Sequence, residues 1–481
     1  MDNMNYKNIF KILYGVTVLF VTVSCNDFLE EKSQDLYIPK TVDDYREFIA
    51  GEALQHGHSN GVVLGEYLDV LTDDVAEKVN PRRKNTVDSR ETTWGYYSWQ
   101  LDPEIDFNNT VQADKMWDVC YHRILIANIT LDQMSKIAGD ANKKKALEAE
   151  VRFIRAWSYF NLVNTYAQPF MSKEQASTIP GVPINTATSV QNRQLEKSTL
   201  LEVYDVMERD LEKAAYLFEE AHIRSTIYRP NLNATLLLLS RIALYTKQYE
   251  KAIKWANKLI SQGTVQLYDL SNYPDNSTQR FVDGANEEII FSYGSEKAYK
   301  LSTIISARNT TKGCYIVSPE LLKMYEPNDK RRNVFFYPKK GLIAKPYKYY
   351  EYGSKNIYPC IFHLSEAYLN RAEAYVEMGQ TEKAVDDLNT LRAKRIKGYT
   401  RETIHDNKEA SHQIRNERRK ELCFEGHRWY DLRRWGCPEL RHVYSSSDVA
   451  SERKEYVLKQ NDSRYTLPIP RAERNMNYNL K

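Results

Sequence analysis

The sequence predicts a mainly α-helical protein, built as a tetratricopeptide-like superhelix of helical hairpins with long irregular loop regions and little β structure. Two observations support this fold class. Amphipathic segments with apolar residues three and four positions apart recur along the chain, and one helical hairpin is echoed by a second much later. Runs that alternate apolar and polar residues, as half-buried strands do, are few.

Three long helices are predicted in the first half of the chain. Apolar residues trace one face of Trp117–Met134, and a second amphipathic segment covers Lys143–Tyr166. The third covers Thr199–Phe218, where the hydroxyl of Ser198 or Thr199 can cap the first turn. These helices would form the first part of the scaffold.

The two helical hairpins resemble each other residue by residue. The hairpin at 234–260 joins its helices through Thr246, Lys247 and Gln248, and the hairpin at 364–395 turns at Gly379 and Gln380. Their second helices begin with Tyr-Glu-Lys-Ala-Ile and Thr-Glu-Lys-Ala-Val. Small residues at matching offsets are typical of tetratricopeptide repeats, whose paired helices approach closely. Chance similarity between two amphipathic hairpins is the alternative.

Two stretches lack helical periodicity, at 51–109 and 262–358, and both are rich in the residues that form turns and loops. Binding residues are often carried by loops that a rigid scaffold positions. We therefore expect the ligand-contacting residues in these two stretches.

The first residues have the features of a bacterial lipoprotein signal. Lys7 and Lys11 precede an apolar run that ends at Ser24, and Cys25 follows it directly. Residues 1–24 are thus predicted to be removed and Cys25 to be acylated, although Thr22 departs from the usual Leu. A plain secretory signal or a short buried segment is the alternative. The acidic stretch after Cys25 resembles tethers that direct lipoproteins to the cell surface.

Charge and cysteine content exclude several classes of function. The 67 basic and 64 acidic side chains leave a net charge of +3, too little to hold a nucleic-acid backbone. The cysteines after Cys25 have no metal-ligand spacing, so no structural metal is predicted. No cofactor is predicted either, and the sequence does not reveal whether Ca²⁺ assists ligand binding. The sequence does not decide whether Cys423 and Cys437 form a disulfide. The 35 tyrosines and 7 tryptophans offer apolar ring faces with polar tips.

Several motifs resemble the SusD/RagB family of outer-membrane nutrient-binding lipoproteins, over essentially the whole mature chain. They are CNDFLEE from Cys25, LSEAYLNRAEAYVEMG from Leu364, IRNERRKELCFEGHRWYDLRRWG from Ile414 and LPIP from Leu467. The resemblance implies an N-terminal region over 25–225, a C-terminal region over 226–481, and a surface-exposed protein in the outer membrane. It also implies binding of oligosaccharides and their delivery to a SusC-like TonB-dependent transporter, which the residues alone do not reveal.

The arginine-rich motif from Ile414 to Trp435 is interpreted as structural. Arginine and acidic residues alternate there with aromatic ones, and the guanidinium fork pairs with carboxylates and stacks on rings. We expect this motif, including His427, to hold helices together rather than to carry out chemistry.

Ligand contact is predicted for residues of the two irregular stretches, because a sugar packs its apolar face on an aromatic ring and offers hydroxyl pairs to charged side chains. If the segment from Trp94 to Trp99 were extended, its aromatic side chains would alternate between two faces, and one face would belong to the core. The candidate residues are Asp73, Arg90, Trp94, Tyr96, Trp99, Tyr293 and Tyr315.

Two rival functions were weighed against glycan binding. The standard motifs for a serine nucleophile elbow, a zinc helix, a phosphate loop and a dinucleotide fingerprint do not occur. Paired carboxylates for glycoside hydrolysis leave no signal in a sequence, so the prediction that the protein is not an enzyme rests on the family resemblance. A protein of the same architecture that binds peptide for a peptide importer is the serious alternative, because one sequence does not show which surface is open.

Overall fold

Long helices dominate the computed structural model, which describes residues 39–54, 67–78, 89–190, 194–223, 226–274, 281–294, 314–336, 360–445 and 453–480. The α-helices in chain order are α1 Val42–Glu52, α2 Ser89–Thr92, α3 Trp94–Tyr97, α4 Met116–Gln133, α5 Ala141–Tyr166, α6 Lys173–Ala176, α7 Leu200–Ala221, α8 Leu232–Tyr245, α9 Tyr249–Ser261, α10 Pro319–Lys323, α11 Arg331–Val334, α12 Leu364–Glu377, α13 Thr381–Ala393, α14 Asn407–Glu421, α15 His427–Arg434 and α16 Arg471–Met476. The predicted mainly α fold is confirmed.

Short strands pair into three two-stranded antiparallel sheets within the described residues. The strands are β1 Val75–Lys78, β2 Ile289–Tyr293, β3 Cys314–Val317, β4 Cys360–His363, β5 Leu440–Ser445 and β6 Arg453–Leu458. β1 pairs with β3, β2 with β4, and β5 with β6. The first two pairs join the irregular stretches to distant parts of the chain, which limits the freedom of those stretches.

The predicted long helices begin within a few residues of their expected first residues, because each start is fixed by a capping side chain next to it in the sequence. Thr199 caps α7 through a capping box with Glu202: each backbone N–H is bonded by the other residue's side chain. Asp140 caps α5 by accepting from the N–H groups of Asn142 and Lys143. These side chains satisfy backbone donors that the first helical turn leaves unpaired.

The two hairpins share their turn geometry as well as their sequence. Lys247 and Gly379 both adopt a left-handed backbone, with φ of 58° and 70°. In each turn the next residue, Gln248 or Gln380, donates its backbone N–H across 2.8 Å to a carbonyl oxygen five positions earlier. The correspondence of turn, hydrogen bond and helix length supports a repeat over a chance similarity.

Residues Thr41–Lys481 form one compact unit, whose core is an aromatic and aliphatic interior. Phe153 and Trp157 of α5 pack there against Phe291 and Phe362 of the β2–β4 pair. A second apolar cluster includes Tyr97 and Tyr315. The division into regions 25–225 and 226–481 stays a prediction about the sequence.

Four cysteines of the described residues form no disulfide. Cys120, Cys423 and Cys437 are buried, and Cys360 is half-buried. The disulfide that the sequence left open between Cys423 and Cys437 is therefore not formed in this structure. Cys25 and its predicted acylation lie outside the described residues.

The arginine-rich motif forms a buried charge network, which confirms its structural interpretation. Arg331 pairs with Asp329, Glu417 and Glu421, and Arg395 bonds Glu421 across 2.7 Å. Further pairs connect the helices that follow: Arg392 with Glu417, Arg418 with Asp431, and Arg434 with Glu373 and Asp431. Buried ion pairs with several partners fix helices in one arrangement.

Candidate functional site

A one-turn helix, α3, carries two of the predicted ligand-contacting residues, Trp94 and Tyr96, and Trp99 follows it. A Cβ at Gly95 would collide with the carbonyl oxygens of Pro103 and Ile105, so only glycine lets the following loop pass so close. Trp99 ends the segment with a left-handed φ of 50°. The alternation of faces considered for an extended segment does not apply, because residues 94–97 are helical.

Three of the predicted aromatic residues of this region are packed in the interior. Tyr96 stacks on Tyr67 with ring centroids 4.3 Å apart. Trp99 is 2% exposed, stacks on His442 at 4.2 Å, and donates its indole N–H to the Leu71 carbonyl oxygen. Tyr315 is fully buried and lies 4.5 Å from the ring of Tyr97. No ring face of these side chains is open in this structure, and their contact with ligand stays a prediction.

Trp94 differs from the others because it is half-buried at the edge of the core. Its ring meets Phe107 and Tyr456 edge to face, at centroid distances of 5.6 and 6.2 Å. Phe107 is 38% exposed and Tyr456 is half-buried. We call Trp94, Phe107 and Tyr456 the aromatic surface.

Sequence reasoning missed Phe107 and Tyr456. Tyr456 lies in β6, more than 300 positions from Trp94, and no local pattern connects the two residues. Phe107 lies in the loop-rich stretch that the sequence singled out, so the position of the loop was found but not this residue. Lys454 places its ammonium nitrogen 4.9 Å from the Tyr456 ring centroid and adds a cation beside the aromatic surface.

The charged candidates are engaged in ion pairs. Asp73 accepts from Arg428 through both carboxylate oxygens, at 2.8 and 2.9 Å, and Arg419 lies 3.1 Å away. Burial opposes ionisation of Asp73, but hydrogen bonds and charge from Arg428 outweigh it and lower the pKa to about 2. Arg90 donates to Glu77 across 2.6 Å. Both residues therefore have structural partners, and their ligand contacts stay a prediction.

Tyr293 is separated from this group by its packing. Its ring contacts Trp157 of α5 at 4.4 Å and stacks on Phe291 at 5.2 Å. The structure therefore brings Arg90, Trp94, Tyr96, Trp99 and Tyr315 into one region and places Tyr293 in another aromatic cluster.

A cavity of about 680 Å³ lies beyond the end of the α3 segment, where Gln100 and Leu101 form part of its wall. Arg464 connects the two features by donating to the Trp99 carbonyl oxygen across 3.0 Å. The LPIP motif from Leu467 forms another part of the wall. A volume of this size is within the range of small-ligand sites.

Glu288, His363 and Glu421 bring potential metal-ligand atoms within 4.8 Å of one another. Arg395, however, donates to both carboxylates, with Nη2 2.8 Å from a Glu288 oxygen and 2.7 Å from a Glu421 oxygen. The guanidinium already supplies the positive charge that a metal ion would bring. This group therefore fits a structural role in the charge network better than a metal site.

Among the described residues, no helix combines the length and the apolar character needed to cross a bilayer. A helical-hairpin scaffold that carries an aromatic surface and a cavity is the architecture of a ligand-binding protein.

Comparisons with known proteins identify the family. Residues 27–244 match a family model described as starch-binding and associating with the outer membrane, and residues 261–481 match the SusD family model. A SusD-like protein of Formosa agariphila is 24% identical, with 88% of this chain and 89% of that protein covered. A second from the same organism is 23% identical, with 69% and 75% covered.

Solved structures share the fold. A SusD-like carbohydrate binding protein from Bacteroides vulgatus superposes with a TM-score of 0.68 at 19% identity, covering 92% of this chain and 97% of that chain. A SusD superfamily protein from Bacteroides thetaiotaomicron gives 0.69 at 23% identity, covering 92% and 99%. The chain belongs to the SusD/RagB family, whose members are carbohydrate-binding proteins associated with the outer membrane. The resemblance drawn from the sequence motifs is confirmed.

Proposed function

We propose that the protein is a surface-exposed lipoprotein of the outer membrane that binds an oligosaccharide and delivers it to a SusC-like TonB-dependent transporter, without cleaving it. The observation that carries the proposal is the aromatic surface of Trp94, Phe107 and Tyr456 on a scaffold of the SusD/RagB family.

The chemistry of this surface suits a sugar. The C–H face of a pyranose packs on an aromatic ring, and its hydroxyl groups require hydrogen-bonding partners at the rim. The indole N–H of Trp94 is buried and has no hydrogen-bond partner among the described residues, so the contribution expected of Trp94 is packing of its ring against the sugar. The edge-to-face contacts hold the Trp94 ring in one orientation, which lowers the entropic cost of binding.

The test is binding of the soluble chain from Asn26 onward to arrays of polysaccharides and peptide pools. Trp94→Ala should weaken binding to the preferred polysaccharide at least tenfold, whereas Tyr216→Ala should leave it unchanged. Tyr216 is a matched control because it is an aromatic residue, 54% exposed, on α7. Binding of peptides alone would reject the glycan proposal in favour of a peptide-import lipoprotein.

Anchoring is tested separately through Cys25. Replacement by serine removes the thiol that would be acylated, so Cys25→Ser should move the protein from the outer-membrane fraction to the soluble fraction. Surface exposure should appear as protease sensitivity of the wild-type protein in intact cells. Retention of the serine variant in the membrane would refute the lipid anchor.

Delivery and the absence of catalysis have their own measurements. The wild-type protein should copurify from detergent with a TonB-dependent transporter, and cells that lack it should take up the preferred oligosaccharide more slowly. Incubation of the purified protein with that oligosaccharide should release no new reducing ends. Release of shorter products would contradict the binding-only proposal.

A further inference from the structure

The fully buried arginines of the described residues differ in whether they contact a carboxylate. Arg331, Arg395 and Arg418 each contact at least one carboxylate. Arg433 and Arg123, also fully buried, have no carboxylate partner among the described residues. A guanidinium stays charged in proteins, so both carry a positive charge that no carboxylate of the described ranges neutralises by direct contact.

Arg123 and Arg433 lie in different surroundings. The guanidinium of Arg123 lies 4.9 Å from the ring centroid of Trp157, which offsets part of its charge. Arg433 instead forms part of the wall of the 680 Å³ cavity. Its two terminal nitrogens donate to the carbonyl oxygens of Asn164 and Ala167, and its Nε has no hydrogen-bond partner within the described ranges.

The other charges at the cavity do not balance Arg433. Three basic side chains line it besides Arg433, and Asp462 is the one acidic residue in the described lining. Asp462 is already occupied by Arg464, which donates to both of its carboxylate oxygens at 2.9 and 2.6 Å. Lys197 makes no ion pair with any residue that the structure describes, and Arg474 lies 4.0 Å from Asp102, a weak contact.

We propose that this cavity, with Arg433 and Lys197 on its wall, is a second binding site that takes the carboxylate or sulfate group of an acidic oligosaccharide. An anion there would neutralise the buried guanidinium, and charge-assisted hydrogen bonds to arginine are among the strongest that proteins form. Tyr166, Pro169 and Ile469 supply apolar faces, and Ser463 and Thr466 supply hydroxyl groups for the sugar. The sugar class rests on the proposed glycan-binding function, whereas the anionic character rests on the charges alone.

The experiment is calorimetric titration of the soluble chain from Asn26 to Lys481 with digalacturonate, a sulfated disaccharide, neutral galactobiose and inorganic sulfate. We expect saturable binding of at least one of the two acidic disaccharides and none of galactobiose. The first two ligands distinguish a carboxylate from a sulfate as the recognised group. The affinity should fall as salt is raised, because the attraction is electrostatic.

Lys197→Gln should weaken acidic disaccharide binding at least tenfold, and Arg474→Gln provides a second variant that leaves the buried Arg433 in place. Lys136→Gln is the control, because Lys136 is an exposed lysine absent from the cavity lining. In a crystal of the complex, the anionic group should lie in the cavity within hydrogen-bond distance of Lys197 Nζ.

Equal affinity for galactobiose, an unchanged affinity in Lys197→Gln, or binding of inorganic sulfate alone would each overturn the proposal. Trp94→Ala separates this outcome from the proposed function. That variant should keep its affinity for the acidic disaccharide, because Trp94 is absent from the cavity lining. Failure at the aromatic surface and failure at the cavity therefore give different results.

Discussion

Arg241 of α8 and Glu366 of α12 form a bidentate ion pair between the two helical hairpins, with Nε to Oε1 and Nη2 to Oε2 both 2.6 Å. Both side chains are buried. The Arg241 guanidinium also lies 4.5 Å from the ring centroid of Phe362. The hairpins are thus joined by a charged contact as well as by apolar packing.

Removing one partner of this pair should be costly. Glu366→Gln leaves the Arg241 charge buried without a counter-charge, and the free energy of unfolding should fall by about 3–5 kcal/mol. Urea denaturation followed by circular dichroism measures the change. Asp386→Asn is the control, because its pair with Arg401 is exposed and should change stability by less than about 1 kcal/mol. Equal effects of the two variants would contradict the assignment.

His363 should make stability depend on pH above neutrality. Burial alone would lower its pKa, but Glu425 and Glu288 outweigh burial and raise the pKa from 6.5 to about 9. The folded state therefore holds a proton that the unfolded state releases. The stabilisation is complete below pH 6.5 and is lost as pH rises through 9.

The measurement is the free energy of unfolding in urea between pH 6 and pH 9.5, for the wild type and for His363→Gln. The difference between the two proteins should shrink with rising pH. Subtraction removes the contributions of the other titrating groups, which the two proteins share. A difference that is constant over the range would show that His363 is not charged in the folded protein.

The capping box of α7 should contribute measurably to stability. Thr199→Ala removes the hydroxyl that accepts from the Glu202 N–H, and a cost of about 1 kcal/mol is expected from denaturation. Thr199→Ser keeps the oxygen and should retain most of the stability. If serine and alanine destabilise alike, the side-chain cap is not responsible.

Cys423 and Cys437 should not form a disulfide with each other. In the folded protein both are buried, so alkylation followed by peptide mass mapping should leave them unmodified. In urea without reductant both should be labelled. Labelling that required reductant would show that a disulfide links them in solution.

The sequence was sufficient for the helical scaffold, because helical periodicity and caps are local properties. The predicted segment Thr199–Phe218 corresponds to α7 at Leu200–Ala221. Both hairpins turn at the residues predicted to form their turns. The strands were harder to predict from the sequence, because each is short and pairs with a strand that is distant in the chain. β1, for example, pairs with β3, more than 200 positions later.

The candidate site could be predicted only in part from the sequence. Aromatic residues in a loop-rich stretch indicate a surface and a core equally well, and the neighbours that decide between them are far away. Trp99 is covered by His442 from β5, and Asp73 is paired by Arg428 at a separation of 355 positions. Trp94 is half-buried, and its ring contacts Phe107 and Tyr456 in edge-to-face arrangements.

The pairing of Asp74 with Arg419 has a consequence for biosynthesis. Asp74 is fully buried, and its carboxylate oxygen lies 2.7 Å from Arg419 Nε, a partner 345 positions later. A nascent chain reaches Asp74 early, but the counter-charge for that carboxylate emerges only near the end of translation. The segment that carries Asp74 therefore reaches its final packing only once the arginine-rich motif is available, late in the folding of the chain.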